Sequence, residues 1–382
     1  MKALVLGCGN IGSVAAEDLA KSMKSTEIVV ADKDSSRAKA AAERIRRTNV
    51  TWIQIDSARR NELVNALKEF DLVMGFLPGN LGYRLAEACV DAGKDLVDVS
   101  YMVENPLSLN AKALKADATI VPDCGLAPGV SNFLVGHAVK ELEKVQAVHI
   151  MVGGLPEKPV PPLGYTITWS PASLIDEYVR ASRIVKAGRI AEAETLGGLE
   201  ELEFPGVGKL EAFYTDGLRT LLDTISGVKE MWEKTLRYPG HAEKIRLLKT
   251  LGFFEESQIH FDGIAASPRR LTTRLFEQKL WKPEIKDIVA LKVEVSGIRG
   301  GKRVHYVYHL LDHYDEKNHV TAMARTTAYP ASIVAQLILE KAVKEKGVVA
   351  PERLGMHKAL FERFSDELEK RGVKTAEEIK EG

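Results

Sequence analysis

Residues 2–12 read KALVLGCGNIG. The run from Lys2 to Leu6 is short and apolar, the pattern of a strand buried on both faces. Three glycines then follow in GxGxxG spacing, and residues 11–23 carry helical spacing. Gly7 permits a tight turn, Gly9 leaves the backbone bare for a pyrophosphate, and Gly12 lets helix and strand pack closely. The first N–H groups of that helix offer themselves to phosphate. Asp32 stands 20 residues beyond Gly12, at the end of the next apolar run, EIVVA. A carboxylate there hydrogen-bonds a ribose 2′-hydroxyl and repels a 2′-phosphate, which predicts NAD as the cofactor. Gly7, Gly9, Asn10, Ile11, Gly12 and Asp32 are its expected ligands. Lys33 and Arg37 are the residues that would pair with a 2′-phosphate if NADP were used. Cys8 is read as filling a small gap.

Outward from this turn, apolar runs alternate with helical patterns. Strands are expected at 27–31, 50–55, 72–76, 95–99 and 118–121, and helices at 35–47, 59–68, 81–92 and 106–116. That rhythm predicts an α/β Rossmann domain with a doubly wound parallel sheet. Right-handed crossovers put every strand C-terminus on one edge, where such sheets bind ligands. Asp56, Leu77, Pro78 and Ser100 then join the expected cofactor site, with Tyr101 and the 123–129 segment DCGLAPG beside them.

A chain of 382 residues exceeds one ordinary core. The expected division is a dinucleotide-binding domain over 1–128, a second domain over 129–325, and helices over 326–382 that return to the first. Lys plus Arg and Asp plus Glu number 53 each, a balance that gives no reason to expect nucleic acid or an acidic membrane surface as partner. No apolar run is long enough to span a bilayer, and the opening residues lack a cleavage pattern. Cys8, Cys89 and Cys124 form no close pair, which fits a reducing, cytoplasmic setting.

After Gly129 the rhythm changes. Strands are expected at 146–152 and 165–169, and helices at 174–186 and 217–222. Residues 289–297 and 304–311 alternate as a half-buried hairpin about Gly300-Gly301. The second domain is therefore expected to be α+β with an antiparallel sheet, followed by helices at 331–343 and 362–370. His305, His309 and His313 share one face of a strand but lie too far apart along it for a common ion, so no metal site is expected.

These pieces together resemble the saccharopine dehydrogenase family. The matching stretches are GCGNIG, LVDVSYM (96–102), VPDCGLAPG (121–129), VGGLP (152–156), PLGYTITWSP (162–171), TLRYPGH (235–241) and MARTTAYPA (323–331). Within the family the chain looks most like the L-lysine 6-dehydrogenase branch. It departs from the saccharopine-forming reductases at Ala127 and Val152, where those enzymes carry an aspartate and a cysteine. The resemblance implies NAD-dependent deamination of lysine at its ε-carbon, giving an aldehyde and ammonia. It also implies a small amino-acid substrate and a homodimer built through the second domain. On this reading Tyr101 and Asp123 handle protons, and Arg219 or Arg237 forks the α-carboxylate. His241 orders that arginine or relays protons, Asp216 pairs with the α-ammonium, and Tyr165 lines the substrate site. Two rivals remain: a saccharopine or carboxynorspermidine reductase, and a non-catalytic NAD-binding sensor or scaffold.

Overall fold

The N-terminal apolar run forms β1 (Lys2–Leu6), the strand on which a seven-stranded sheet turns. The structure is a computed structural model describing residues 1–382, the side chain of Phe261 excepted. Next in the chain come β2 (Glu27–Asp32), β3 (Val50–Gln54), β4 (Leu72–Gly75), β5 (Asp95–Asp98) and β6 (Thr119–Val121). β1 pairs in parallel with both β2 and β4, β2 with β3, β4 with β5, and β5 with β6. The strand order thus reverses at β1, and the glycine turn leaves the sheet at that switch point, where α/β sheets open a ligand crevice. Helices Asn10–Ser22, Ser35–Ile45, Arg60–Leu67, Gly79–Ala92 and Asn110–Lys115 make the crossovers. Leu4, Leu6, Val29, Val73, Leu85, Leu96 and Ile120 share one buried apolar cluster, so one side of the sheet packs as a single core.

A seventh strand, Gly347–Val348, pairs in parallel with β6. Two residues are too short to show a period, which is why the sequence does not announce it. The chain divides into two units, unit 1 spanning 1–143, 219–226 and 324–375, and unit 2 spanning 144–218, 227–323 and 376–382. Unit 1 thus takes in the Val130–Lys140 helix and a short piece around Arg219, both beyond the expected 1–128, together with the helices Pro351–Gly355 and Lys358–Lys370.

Unit 2 is built on a nine-stranded sheet. The long hairpin Asp287–Arg299 and Lys302–His313 is antiparallel about Gly300 and Gly301, whose positive φ values of 58° and 75° suit the tight turn. The sheet is mixed rather than wholly antiparallel: Lys144–Pro156 and Glu230–Arg237 run parallel.

Several expected elements differ. Residues 165–169 form no strand; Tyr165, Thr166 and Ile167 are all buried, without alternation, and the segment has no ladder partner among the described residues. The helix expected over 174–186 is Pro171–Val179, because Arg180 turns extended, at φ −69° and ψ 128°. Ser182–Lys186 then pairs with Arg189–Ala193 as a hairpin about Ala187 and Gly188, both at positive φ. The helix expected over 217–222 is one turn, Leu221–Thr224, since Arg219 is left-handed at φ 53°. The helix expected from 331 runs from Ala322 to Leu339 and carries Pro330 inside it. Its first N–H groups, of Ala322 and Met323, donate to Asp287 at 2.7 and 2.9 Å.

Candidate functional site

Gly7 stands at φ +103°, and a Cβ there would lie 2.4 Å from the carbonyl oxygen of Phe76. A Cβ on Gly12 would lie 1.9 Å from the carbonyl oxygen of Gly7. Around Gly9, by contrast, a Cβ would meet no protein atom within 4 Å. Two glycines are therefore required by the protein's own packing and the third by open space above the turn. Gly9 is the N-cap of the Asn10–Ser22 helix, and no side chain caps that end. Bare backbone, open space and an uncapped helix N-terminus fit a dinucleotide pyrophosphate. Asn10 and Ile11 open this helix.

Asp32 ends β2 beside the turn. Its carboxylate accepts from the Cys8 N–H at 2.9 Å and the Asp34 N–H at 3.0 Å, which points it at the glycine loop. Arg37, the residue that would favour a 2′-phosphate, faces Asp34 at 3.8 Å. Burial holds the Cys8 thiol up at about 12, so it stays protonated and inert. Asp56 follows β3, where it accepts the Ala58 N–H at 3.0 Å in its own turn. Leu77 packs on the core cluster, and Pro78 is the N-cap of the Gly79–Ala92 helix.

The ends of β5 and β6 bring a buried polar group onto the same edge. Asp98 is fully buried and accepts from the Ser100 N–H at 2.7 Å and the Ser100 hydroxyl at 3.1 Å. Gly75 makes room for it, since a Cβ there would lie 2.1 Å from Asp98 Oδ2. Asp123, left-handed at φ 53°, meets Arg219, whose Nε donates to both carboxylate oxygens at 3.3 Å. Both side chains are buried, and the Arg219 guanidinium stands 5.6 Å from the centre of the Tyr101 ring. Sequence reasoning singled out Tyr101, Asp123 and Arg219, and the structure joins them. Asp98 was missed, although a carboxylate closing an apolar strand in LVDVSY was a readable signal.

Burial pushes the Asp98 carboxyl up to about 7, against the hydrogen bonds from Ser100. The folded state thus holds this proton more tightly than the unfolded chain. The resulting stability is fully present below the usual carboxylate range and is lost as pH rises through about 7, at about 1.4 kcal/mol per pH unit. Asp98→Asn is expected to remove that part of the decline. Urea midpoints for both proteins at pH 5 and pH 8 check it, and parallel declines would refute it.

Unit 2 carries a second polar cluster. Glu233, Thr235 and Arg237 point to one face of their strand, and Glu211 stands opposite Arg237. Glu211 accepts the N–H groups of Gly240 and Ala242 at 2.8 and 2.6 Å and so caps the His241–Thr250 helix. Arg237 donates to Glu177 at 3.0 Å and lies 4.6 Å from the centre of the Tyr165 ring. Its Nε is buried and makes no hydrogen bond among the described residues. Burial alone would weaken the guanidinium's hold on its proton, but Glu177, Tyr178 and Tyr165 reverse this and raise its pKa. Burial pushes the Glu233 carboxyl up to about 8, opposed by the Thr215 hydroxyl at 2.6 Å and reinforced by Glu177 and Asp216.

Two expected roles change here. His241 is 1% exposed, with Nδ1 donating to the Leu163 carbonyl and Nε2 accepting from Tyr178, both at 2.9 Å. Burial, then Arg237, lower its pKa to about 3, so it is a neutral bridge with both nitrogens engaged, not a proton relay. Asp216 accepts two bonds from the Arg183 guanidinium, at 3.0 and 3.1 Å, so its carboxylate is committed before any ammonium arrives. Glu177, Tyr178 and Glu233 were missed. The first two sit in a helix whose pattern shows burial but not which residue Arg237 selects. The histidines of the 302–313 strand stay apart from this chemistry: His305 faces Glu294 at 3.5 Å and His309 meets the Phe204 ring edge-on. Among the described residues no group of three His, Cys, Asp or Glu is placed to hold a metal, and no helix is long and apolar enough to cross a membrane.

Comparison with known proteins finds two family models that together span most of the chain. A family model described as the saccharopine dehydrogenase NADP binding domain matches residues 3–121, and one described as the saccharopine dehydrogenase C-terminal domain matches residues 125–373. The alpha-aminoadipic semialdehyde synthase of Arabidopsis thaliana is 24% identical across 91% of this chain, which spans 42% of that longer protein. The saccharopine dehydrogenase [NADP(+), L-glutamate-forming] of Schizosaccharomyces pombe is 24% identical over 98% of both chains. A carboxyaminopropylagmatine dehydrogenase of Synechocystis is 20% identical over 92% of both. The apo structure of the L-Glu-forming saccharopine dehydrogenase from Saccharomyces cerevisiae superposes with a TM-score of 0.80 at 20% identity over 99% of both chains, a likeness of fold.

Proposed function

This chain belongs to the saccharopine dehydrogenase family, and from that premise we propose that it oxidises L-lysine at the ε-carbon with NAD, releasing ammonia. Family membership makes it a nicotinamide-dependent oxidoreductase of amino-acid substrates. The observation that carries the finer reading is the charge of unit 2. Among the described residues its buried charged groups include Glu177, Glu211, Asp216, Glu233, Asp287 and Asp312 but only Lys234 and Arg237 as permanent cations. A substrate with two or three carboxylates needs several cations, whereas lysine presents a single carboxylate that one guanidinium can meet.

The ε-ammonium first loses a proton, because only a neutral amine pushes electrons toward the carbon as hydride departs. When bound, the nicotinamide supplies the acceptor for that hydride. The imine left on the substrate takes up water and separates into aldehyde and ammonia. Tyr101 and Asp123 are assigned the proton transfers, and Arg219 orients both. Arg237 is assigned the α-carboxylate, since its buried Nε retains an unmet donor. Unit 1 is then the dinucleotide-binding part and unit 2 the part that recognises substrate and pairs with a second copy. Leu247, Leu251 and Leu271 leave 60%, 64% and 54% of their surface exposed in unit 2, and light scattering on the purified chain tests the dimer.

The decisive assay follows NADH absorbance with lysine alone, then with saccharopine alone. Lysine is expected to yield NADH and one equivalent of ammonia. NADH from saccharopine only would replace this reading with the one suggested by the name of the S. pombe relative. NAD is proposed over NADP on the position of Asp32. Asp32→Gly is expected to weaken NAD by about tenfold to a hundredfold, the worth of one charge-assisted hydrogen bond, and to improve NADP relative to it. Steady-state KM values for both cofactors check this, and an unchanged preference would remove Asp32 from the ribose site.

A further inference from the structure

We propose that Glu352 is a positioning residue that holds both halves of the Asp123–Arg219 pair in register. Its side chain is fully buried, and three of its hydrogen bonds reach the segments that carry the pair. It accepts from Asn132 Nδ2 at 2.9 Å, Thr220 Oγ1 at 3.0 Å and Thr224 Oγ1 at 2.5 Å. Each donor leads to one member of the pair. Thr220 is the neighbour of Arg219, and Thr220 and Thr224 bracket the single helical turn that follows it. Asn132 turns its Oδ1 to the N–H of Gly129 at 3.1 Å, and Gly129 closes the loop that begins at Asp123. One carboxylate therefore ties the Arg219 segment and the Asp123 loop to a common point.

The backbone around Glu352 is itself fixed. A Cβ on Gly136 would lie 2.0 Å from the Glu352 carbonyl oxygen, and one on Gly355 would lie 2.3 Å from that of Phe133. The helices Val130–Lys140 and Pro351–Gly355 thus touch backbone to backbone, which leaves the carboxylate no freedom to drift. The need for such an anchor is visible in the chain: Arg219 and Asp123 are both left-handed non-glycine residues, a conformation their surroundings must hold. Burial raises the Glu352 carboxyl above its usual range, against the hydrogen bonds of Thr224, Asn132 and Thr220, so the group is kept at a solvation cost that a purely apolar contact would avoid.

The inference rests on the reading that Arg219 belongs to the reacting cluster, and the experiment separates the two. Glu352→Gln, Thr220→Val, Arg219→Ala and the Arg219→Ala/Glu352→Gln double variant are compared in the full chain. Hydrogen exchange in Glu352→Gln is expected to quicken at least tenfold over residues 219–226 and 123–129, with the 7–12 turn unchanged. Thr220→Val, which keeps the buried acid, is expected to reproduce the effect over 219–226. In turnover of lysine, Glu352→Gln is expected to lower kcat with the dissociation constant of NAD unchanged, and to add nothing once Arg219 is alanine. Exchange that rises evenly across unit 1, or losses that multiply in the double variant, would overturn the positioning role. Unimpaired turnover in Arg219→Ala would overturn the reacting-cluster reading, while the exchange pattern would still decide the anchor.

Discussion

Gly12→Ala is expected to lower dinucleotide affinity by more than a hundredfold, and Gly9→Ala is expected to weaken binding without loosening the fold. The two glycines sit three residues apart in one turn, yet their surroundings differ. The added Cβ at 12 falls 1.9 Å from the Gly7 carbonyl oxygen and 3.1 Å from Phe76 Cβ. Neither the helix nor the turn can give way cheaply. Gly7 is already at φ +103° and is pressed against the Phe76 backbone, so the turn has no second conformation to adopt. Overpacking of this kind costs about 1–3 kcal/mol in stability, and the displaced N–H groups lose their aim at phosphate. At Gly9 the methyl group enters space that holds no protein atom. Thermal unfolding without cofactor is therefore expected to shift for Gly12→Ala and stay put for Gly9→Ala, while titration with NAD detects a loss in both. A Gly9→Ala protein that binds NAD as tightly as the parent would mean the ligand does not approach this backbone.

Unit 1 was legible because its signals are local and periodic. β1 to β6 each show a short apolar run, each is followed by a helix, and the GxGxxG names the turn between the first two elements. What resisted reading was set by contacts distant in sequence. The Gly347–Val348 strand exists because β6 offers an edge, and nothing in two residues records that. Pro330 reads as a stop, but Asp287 satisfies the helix start eight residues before it, and the helix runs through. The one-turn Leu221–Thr224 helix reads as longer because Arg219 shows no sign of its left-handed backbone in composition.

The site followed the same rule. Tyr101, Asp123 and Arg219 were legible as residue types at a sheet edge or in a family stretch, and they meet. Asp216 and His241 were legible as polar groups, but not their partners. Arg183 lies in a segment whose helical pattern hid a hairpin, and Tyr178 lies one residue after Glu177 on a helix with no outward mark of function. A motif shows that a charged side chain is kept in the core; only the fold shows which opposite charge answers it.

Arg237 gives the sharpest use of that distinction. Arg237→Ala is expected to lower kcat/KM for lysine at least a hundredfold, with NAD affinity intact, and to destabilise the chain by about 3–5 kcal/mol, because it leaves Glu177 buried without its cation. Either effect alone admits a trivial cause: an enzyme that unfolds loses activity whatever the arginine touches. The double variant Arg237→Ala/Glu177→Gln resolves this, since removing both members of a buried pair recovers most of the stability lost by removing one. Urea unfolding is expected to show that recovery, while KM for lysine stays high because no guanidinium remains to fork the α-carboxylate. Arg237→Lys keeps the charge but forfeits the guanidinium that sits over the Tyr165 ring, 4.6 Å from its centre, and is expected to fall between the two in KM. If the double variant regains lysine turnover together with stability, Arg237 serves the core of unit 2 alone, and the carboxylate of the substrate must be met elsewhere.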